Sequence, residues 1–216
     1  MSTVDYIPAL RFKWLTPLYD FIVGHTMPEK KIKEHLIRVA EISDGQQVLD
    51  FGCGTGSLTI MAKEANPGAT ITGIDIDIQI LNKAIQRAEK KNLDILLIDY
   101  NGIKLPFHDN QFNKVISCLV FHHLDTGTKQ KVLAGLFRTL SSGGRLHIAD
   151  FGLSASWLQR KLFNIIRILD GFKPTRANAE GMLPELIEKA GFKNVSVTRK
   201  FKTIFGEVQL FNATKQ

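Results

Sequence analysis

From residue 47 onward, short apolar runs alternate with longer stretches of helical periodicity. The apolar runs fall at 47–51, 70–74, 94–98, 114–118 and 144–149. Each is short, bounded by turn residues and rich in Val, Ile and Leu, as buried strands are. Between them, 56–65, 77–91 and 127–140 read as helices. In 77–91, Ile78, Leu81, Ala84, Ile85 and Ala88 recur at three- and four-residue spacing with Lys and Arg between them. Asp77 stands where a helix N-cap is wanted. Strands alternating with helices predict βαβ units and a parallel sheet. Ahead of them, 28–42 places Ile32, Leu36, Val39 and Ala40 on one helical face, with Pro28 suited to the first turn. After residue 153 the pattern changes. Helices are expected at 155–169 and 180–190. Two alternating runs at 194–203 and 207–213, divided by Gly206, predict a hairpin and hence an antiparallel addition to the sheet.

These elements predict one domain over 1–216. It divides into an N-terminal helical lid at 1–46, a core at 47–153 and acceptor-side helices with a C-terminal hairpin at 154–216. The segment 1–27 mixes aromatic residues with Pro8 and Pro17. Its stripe suits either a lid over a ligand or ordinary core packing. The chain of 216 residues is long enough to bury a core without staples. Its two cysteines, Cys53 and Cys118, are too few for a disulfide framework or a Cys-rich zinc site. Neither a signal-peptide pattern nor a bilayer-length apolar run is apparent, so a cytoplasmic location is the expectation.

Charge changes the picture by its distribution. The net +7 comes from 28 basic and 21 acidic side chains. Residues 1–41 contribute +1, residues 42–153 nothing, and residues 154–216 the remaining +6. A basic balance can serve nucleic acid, an anionic membrane or an anionic ligand. No basic run interleaved with exposed aromatics reads as an RNA groove, so there is no strong nucleic-acid signal.

Candidate chemistry concentrates in Asp50-Phe51-Gly52-Cys53-Gly54-Thr55-Gly56. This turn follows an expected strand and opens an expected helix. Glycines let the backbone turn sharply and approach a ligand, which meets free N–H groups and the positive helix end. Asp75 closes the second strand, where its carboxylate can accept from two ribose hydroxyls. Asp99 closes the third. Together they point to a nucleoside-bearing cofactor at the carboxyl edge of the sheet. A dinucleotide fingerprint would want a third glycine where Ser57 stands, which disfavours NAD and an NAD-linked oxidoreductase.

VLDFGCGTG at 48–56, GIDID at 73–77, DYNGIKLPFHDNQFNKVIS at 99–117 and SSGGRLHIADFG at 141–152 resemble the motif regions of class I S-adenosylmethionine-dependent methyltransferases. The likeness is greatest to the small-molecule branch with the ubiquinone and menaquinone methyltransferases. The resemblance implies an α/β, Rossmann-like seven-stranded sheet, mostly parallel, with an antiparallel last strand and helices on both faces. It implies S-adenosylmethionine as cofactor and S-adenosylhomocysteine as product. Asp50, Gly52, Gly54 and Gly56 would hold the methionine half and Asp75 the ribose. Asp99 would meet the adenine amino group, beside Ile76 and Tyr100. Leu119 would line the sulfonium region, and Tyr19 resembles a tyrosine that contacts the cofactor in quinone-type relatives.

The expected reaction is direct in-line transfer to a small, mainly apolar acceptor. A phenol or enol acceptor gains from a base, and the candidates are His123 and His122, directly after the fourth strand. Either could instead bond backbone or cap a turn. Asp150 could touch substrate or order its loop. Cys53 and Cys118 are assigned no nucleophilic role, and no metal is expected. In 154–175, Trp157, Leu158, Lys161, Leu162, Ile165, Ile168 and Leu169 form an apolar stripe flanked by Arg160 and Arg167. It suits an acceptor cover, a peripheral contact with an anionic membrane, or plain core packing. The absence of an Asn/Asp-Pro-Pro-aromatic sequence disfavours base amino-methylation. A protein or RNA methyltransferase and a non-catalytic cofactor binder stay open as alternatives. The sequence leaves the acceptor and the oligomeric state undetermined.

Overall fold

The computed structural model describes residues 27–216 apart from 103, 155, 171 and 205. Tyr19 and most of the expected lid lie outside the described residues. Helix α1 (Glu29–Ala40) has Ile32, Leu36 and Ala40 buried on one face, with Glu29 in its first turn and Arg38 in its last, as the helix dipole favours. It packs against the strands Phe112–Cys118 and Leu140–Gly152, with Ile32, Leu36 and Ala40 among the buried residues of the core.

Strand β1 (Gln47–Phe51) leads through the glycine turn into α2 (Ser57–Ala65). Strand β2 (Thr70–Asp75) then leads into α3 (Ile78–Lys90), where Asp77 caps by accepting from the N–H groups of Gln79 and Ile80 at 2.9 and 3.2 Å. Strands β3 (Leu96–Asp99) and β4 (Phe112–Cys118) follow. A 3-10 turn (Phe121–His123) precedes α4 (Thr126–Thr139), which is capped by Asp125 on the N–H of Thr128 at 2.8 Å. The expected helix at 127–140 therefore ends one residue early, because β5 (Leu140–Gly152) begins at Leu140 and not at 144. Leu140 pairs with Phe112 across an irregularity before the regular register from Arg145.

The C-terminal third holds α5 (Trp157–Asp170), α6 (Phe172–Ala179), α7 (Leu183–Lys189), β6 (Lys193–Thr203) and β7 (Gly206–Thr214). The expected helix at 180–190 is shorter at its start, and α6 was not anticipated. Pro174 hides it from the sequence pattern, yet a proline in the first turn removes an N–H that has no helical partner anyway. Gly181, at φ +72, supplies the left-handed residue between α6 and α7.

Among the described residues the strands form one seven-stranded sheet in the order β3-β2-β1-β4-β5-β7-β6. Strands β1 to β5 pair in parallel, and β7 is antiparallel to both β5 and β6. The mostly parallel sheet with a reversed last strand is thus present. Helices α1, α2 and α5 bury residues on one face, and α4, α6 and α7 on the other. Strand order reverses between β1 and β4, and ligands of open α/β sheets bind at the carboxyl ends of such a switch point.

Candidate active site

The glycine turn occupies that position. Its three glycines have φ of +72, +53 and +73° at Gly52, Gly54 and Gly56. Two of them are also packed closely. A Cβ at Gly52 would lie 2.5 Å from the Val120 side chain, and one at Gly56 would lie 2.9 Å from Ala84. A Cβ at Gly54 would meet nothing within 4 Å, so this residue faces open space. The turn is held to β2 by N–H bonds from Gly52 and Cys53 to the carbonyl of Ile74, at 2.9 and 3.0 Å. Gly56, at the N-cap of α2, offers no side chain to that helix's first N–H groups.

Asp50 lies beneath the turn with only 1% of its surface exposed. Its Oδ2 accepts from the Thr59 hydroxyl at 2.6 Å, while its buried Oδ1 has no partner. Burial raises its pKa to about 7, against the lowering effects of the Thr59 hydroxyl and of the Lys33 charge. A buried carboxylate oxygen left unmet is costly, and a cationic or N–H donor would relieve it.

Asp75 and Asp99 stand in register at the carboxyl ends of β2 and β3. The Asp75 carboxylate accepts from the N–H of Gly54 at 2.7 Å and of Asp77 at 3.0 Å. Asp99 is exposed and Ile76 half-buried. The Tyr100 N–H bonds the carbonyl of Asp75 at 3.2 Å, and its ring lies edge-on to Phe51 at 6.2 Å. Burial, then the nearby Asp75 charge, push the Tyr100 phenol up to about 12, so it stays protonated. The structure therefore brings Asp50, the three glycines, Asp75, Ile76, Asp99 and Tyr100 to one edge.

The second wall begins after β4. Leu119 has φ +60, a conformation costing a side-chain-bearing residue about 1 kcal/mol, and its N–H bonds Ala149 at 2.8 Å. This bend leads directly into the 3-10 turn. There the carboxylate of Asp150, fully buried, accepts from the N–H of Phe121 and of Phe151 at 2.7 Å each and from the Asn178 amide at 3.2 Å. His122 Nδ1 lies 2.9 Å from the same carboxylate. Burial would raise the Asp150 pKa, but His122, the Phe151 N–H and Lys129 hold it below the ordinary value. Asp150 is thus a loop-ordering group. His123 lies against the His122 ring, with centroids 4.0 Å apart. Burial, with the His122 and Lys129 charges, pushes its pKa down to about 3 against the pull of Asp150.

The sequence pattern missed two cations. Lys33 on α1 is 8% exposed, pairs with Glu29, and acts on Asp50. Its four-residue spacing from Glu29 was the available signal. Lys129 is fully buried and donates to the carbonyls of Leu124 and Pro174, the latter at 2.7 Å, which fastens α6 over the 3-10 turn. Burial brings its pKa down to about 8. The two thiols are pushed well up by burial and remain protonated. On α5, Phe163 is buried, whereas Trp157, expected in the apolar stripe, is 66% exposed. The side chains of Leu158, Arg160, Ile165, Ile168 and Leu169 lie outside the described residues. No described helix is long and apolar enough to cross a membrane.

Comparisons with known proteins agree with this geometry. The methyltransferase domain family matches residues 48–144. A demethylmenaquinone methyltransferase of Thermus thermophilus is 34% identical over 106 residues, which cover 49% of this chain and 47% of that protein. The match thus spans about half of that relative's length. An uncharacterized methyltransferase of Synechocystis is 29% identical over 99% of this chain and 97% of its own. A S-adenosylmethionine-dependent methyltransferase structure from Aquifex aeolicus superposes with a TM-score of 0.65 at 19% identity, over 90% of this chain and 97% of that one. A phosphoethanolamine N-methyltransferase from Haemonchus contortus, solved with phosphomonomethylethanolamine and S-adenosylhomocysteine, reaches 0.73 at 19% identity, over 100% of this chain and 61% of that one. By strand order, motif regions and these matches, the chain is similar to the class I S-adenosylmethionine-dependent methyltransferases.

Proposed function

We propose that the protein transfers a methyl group from S-adenosylmethionine to a small acceptor with an apolar body, at the carboxyl edge of the sheet. The observation that carries this reading is the buried, unpartnered Oδ1 of Asp50, at the start of a glycine turn whose Gly54 faces open space. The methionine half of the cofactor bears an ammonium group that answers such an oxygen, and the space over Gly54 admits its backbone.

Asp50, Gly52, Gly54 and Gly56 form the methionine side of the site in this reading, and Asp75 takes the ribose through its remaining lone pairs. Asp99, Ile76 and Tyr100 flank the adenine, and Leu119 lines the reacting centre. When bound, the cofactor supplies an electrophilic sulfonium methyl. The chain aligns the acceptor and excludes water. Where the acceptor needs a base, His122 is the stronger candidate. Its Nδ1 lies 2.9 Å from the Asp150 carboxylate, which orients the ring. A pKa of about 3 makes His123 too weak a base for a phenol. An aromatic, quinone-like acceptor is supported by the name of the Thermus relative.

The test has two stages. Calorimetry with S-adenosylhomocysteine should show saturable binding, and none at high micromolar ligand would sink the proposal. Incubation with methyl-labelled cofactor and a fractionated metabolite extract should then label a small molecule. Binding without labelling would leave a cofactor-binding protein that lacks turnover.

A further inference from the structure

Next to this site, beyond the end of β5, a cavity of about 250 Å³ opens between β5, α5 and the end of α6. Lys161, Asn164 and Arg167 of α5 line it, with Ser154 and Phe163. Two observations concern its charge. Among the described residues, no carboxylate pairs with Lys161 or Arg167; Lys161 rests on the Trp157 ring at 4.9 Å and Arg167 on the Phe172 ring at 4.8 Å. The Nε of Arg167 is buried and, among the described residues, has no hydrogen-bond acceptor, although its Nη1 reaches Asn164 at 3.3 Å. A guanidinium N–H taken from water without an acceptor is costly, and an oxyanion is the ligand that answers it.

The cavity also stands in the right place. Phe163 lines it and packs on Phe151 with centroids 5.1 Å apart, and Phe151 meets the His122 ring edge-on at 5.1 Å. An aromatic layer of two buried rings, Phe163 and then Phe151, therefore separates the cationic wall from His122. The volume is below that of pockets that enclose a whole drug-sized ligand, so it suits one end of an acceptor.

We propose that this cavity binds an oxyanion group, carboxylate or phosphate, of the methyl acceptor through Arg167 and Lys161, with the aromatic layer under the acceptor's apolar body. The proposal rests on the methyltransferase reading above and adds the acceptor's charge to it. It also gives part of the +6 of residues 154–216 a specific use.

The experiment uses the full chain saturated with S-adenosylhomocysteine and three probes sharing one ring system: 1-naphthoate, 1-naphthyl phosphate and 1-naphthol. Calorimetry at low salt should find at least one anionic probe bound about tenfold or more tightly than 1-naphthol. The better anion identifies the oxyanion. Arg167→Met and Lys161→Met should each erase most of that preference, with S-adenosylhomocysteine affinity retained as the sign of an intact fold. Equal binding of all three probes would overturn the proposal, as would a preference that survives the double substitution. Failure to bind S-adenosylhomocysteine at all would instead strike the methyltransferase reading.

Discussion

The carboxylate of Asp75 accepts the backbone N–H of Gly54 at 2.7 Å, which ties the end of β2 to the open centre of the glycine turn. Its other oxygen accepts from Asp77 at 3.0 Å. One side chain thus sets the turn and, in the proposed site, meets the ribose. Asp75→Ala should therefore do two things. It should cost about 1.5–3 kcal/mol of stability, the usual range for hydrogen bonds to a charged group. It should also weaken S-adenosylhomocysteine binding about tenfold or more. Denaturant unfolding and calorimetry measure these separately, and a variant with unchanged affinity would show the ribose to lie elsewhere.

Gly52 and Gly54 should respond differently to the same change. Both have positive φ, so alanine strains each by about 1 kcal/mol. At Gly52 the new methyl also runs into Val120 at 2.5 Å. Gly52→Ala should thus lose about 2 kcal/mol or more of stability, through overpacking added to strain. Gly54→Ala should lose only the strain, because its Cβ enters open space. That space is where the cofactor is proposed to lie, so Gly54→Ala should lose affinity out of proportion to its stability. Melting temperatures and S-adenosylhomocysteine titrations of the pair provide the comparison.

Asp50 should make cofactor binding release a proton. Free, its carboxyl has a pKa raised to about 7, so near pH 6 it is mostly protonated. A cofactor ammonium beside Oδ1 favours the ionised form and lowers that pKa. Binding is then coupled to deprotonation, and affinity should rise with pH up to about 7 and level off above it. The same shift predicts that Asp50 contributes stability to the free protein below its unfolded pKa, lost as pH rises through about 7. Calorimetry at pH 6 in buffers of different ionisation enthalpy should show the released proton. Asp50→Asn should abolish the release.

The sheet was legible because buried parallel strands write themselves as apolar runs, and the glycine turn because positive φ selects glycine. Asp75 and Asp99 were legible as acidic strand ends, and Asp77 as a cap. Helix α6 was not, because Pro174 reads as a breaker unless its place in the first turn is known. Lys129 was also hidden. Its charge suggested solvent, while the carbonyls of Leu124 and Pro174 that receive it belong to loops brought together only by folding. The division of labour between His122 and His123 could not be read from adjacent letters. It depends on which ring the 3-10 turn aims at Asp150.

That division gives the last prediction. His122 is buried with Nδ1 at 2.9 Å from Asp150, while His123 has its pKa pushed down to about 3. A histidine with a depressed folded pKa adds stability above its unfolded pKa of about 6.5, and that stability is lost as pH falls toward 3. The His123 ring should therefore remain neutral in the native protein, and its NMR resonances should not titrate between pH 5 and 8. His123→Gln should reduce the acid sensitivity of unfolding. Once the labelled acceptor is in hand, His122→Gln should lower kcat by about 100-fold or more if that acceptor needs a base, since positioned base catalysis supplies about 10²–10⁴. His123→Gln should lower it far less. Asp150→Asn supplies the control. It keeps the shape but removes the charge that orients His122, and leaves fewer acceptor sites for the N–H groups of Phe121 and Phe151. It should lose both stability and kcat, and so be distinguishable from His122→Gln, whose loss should fall mainly on kcat. Equal loss of kcat in the two histidine variants would mean that the pair acts by packing the turn, with no base among them.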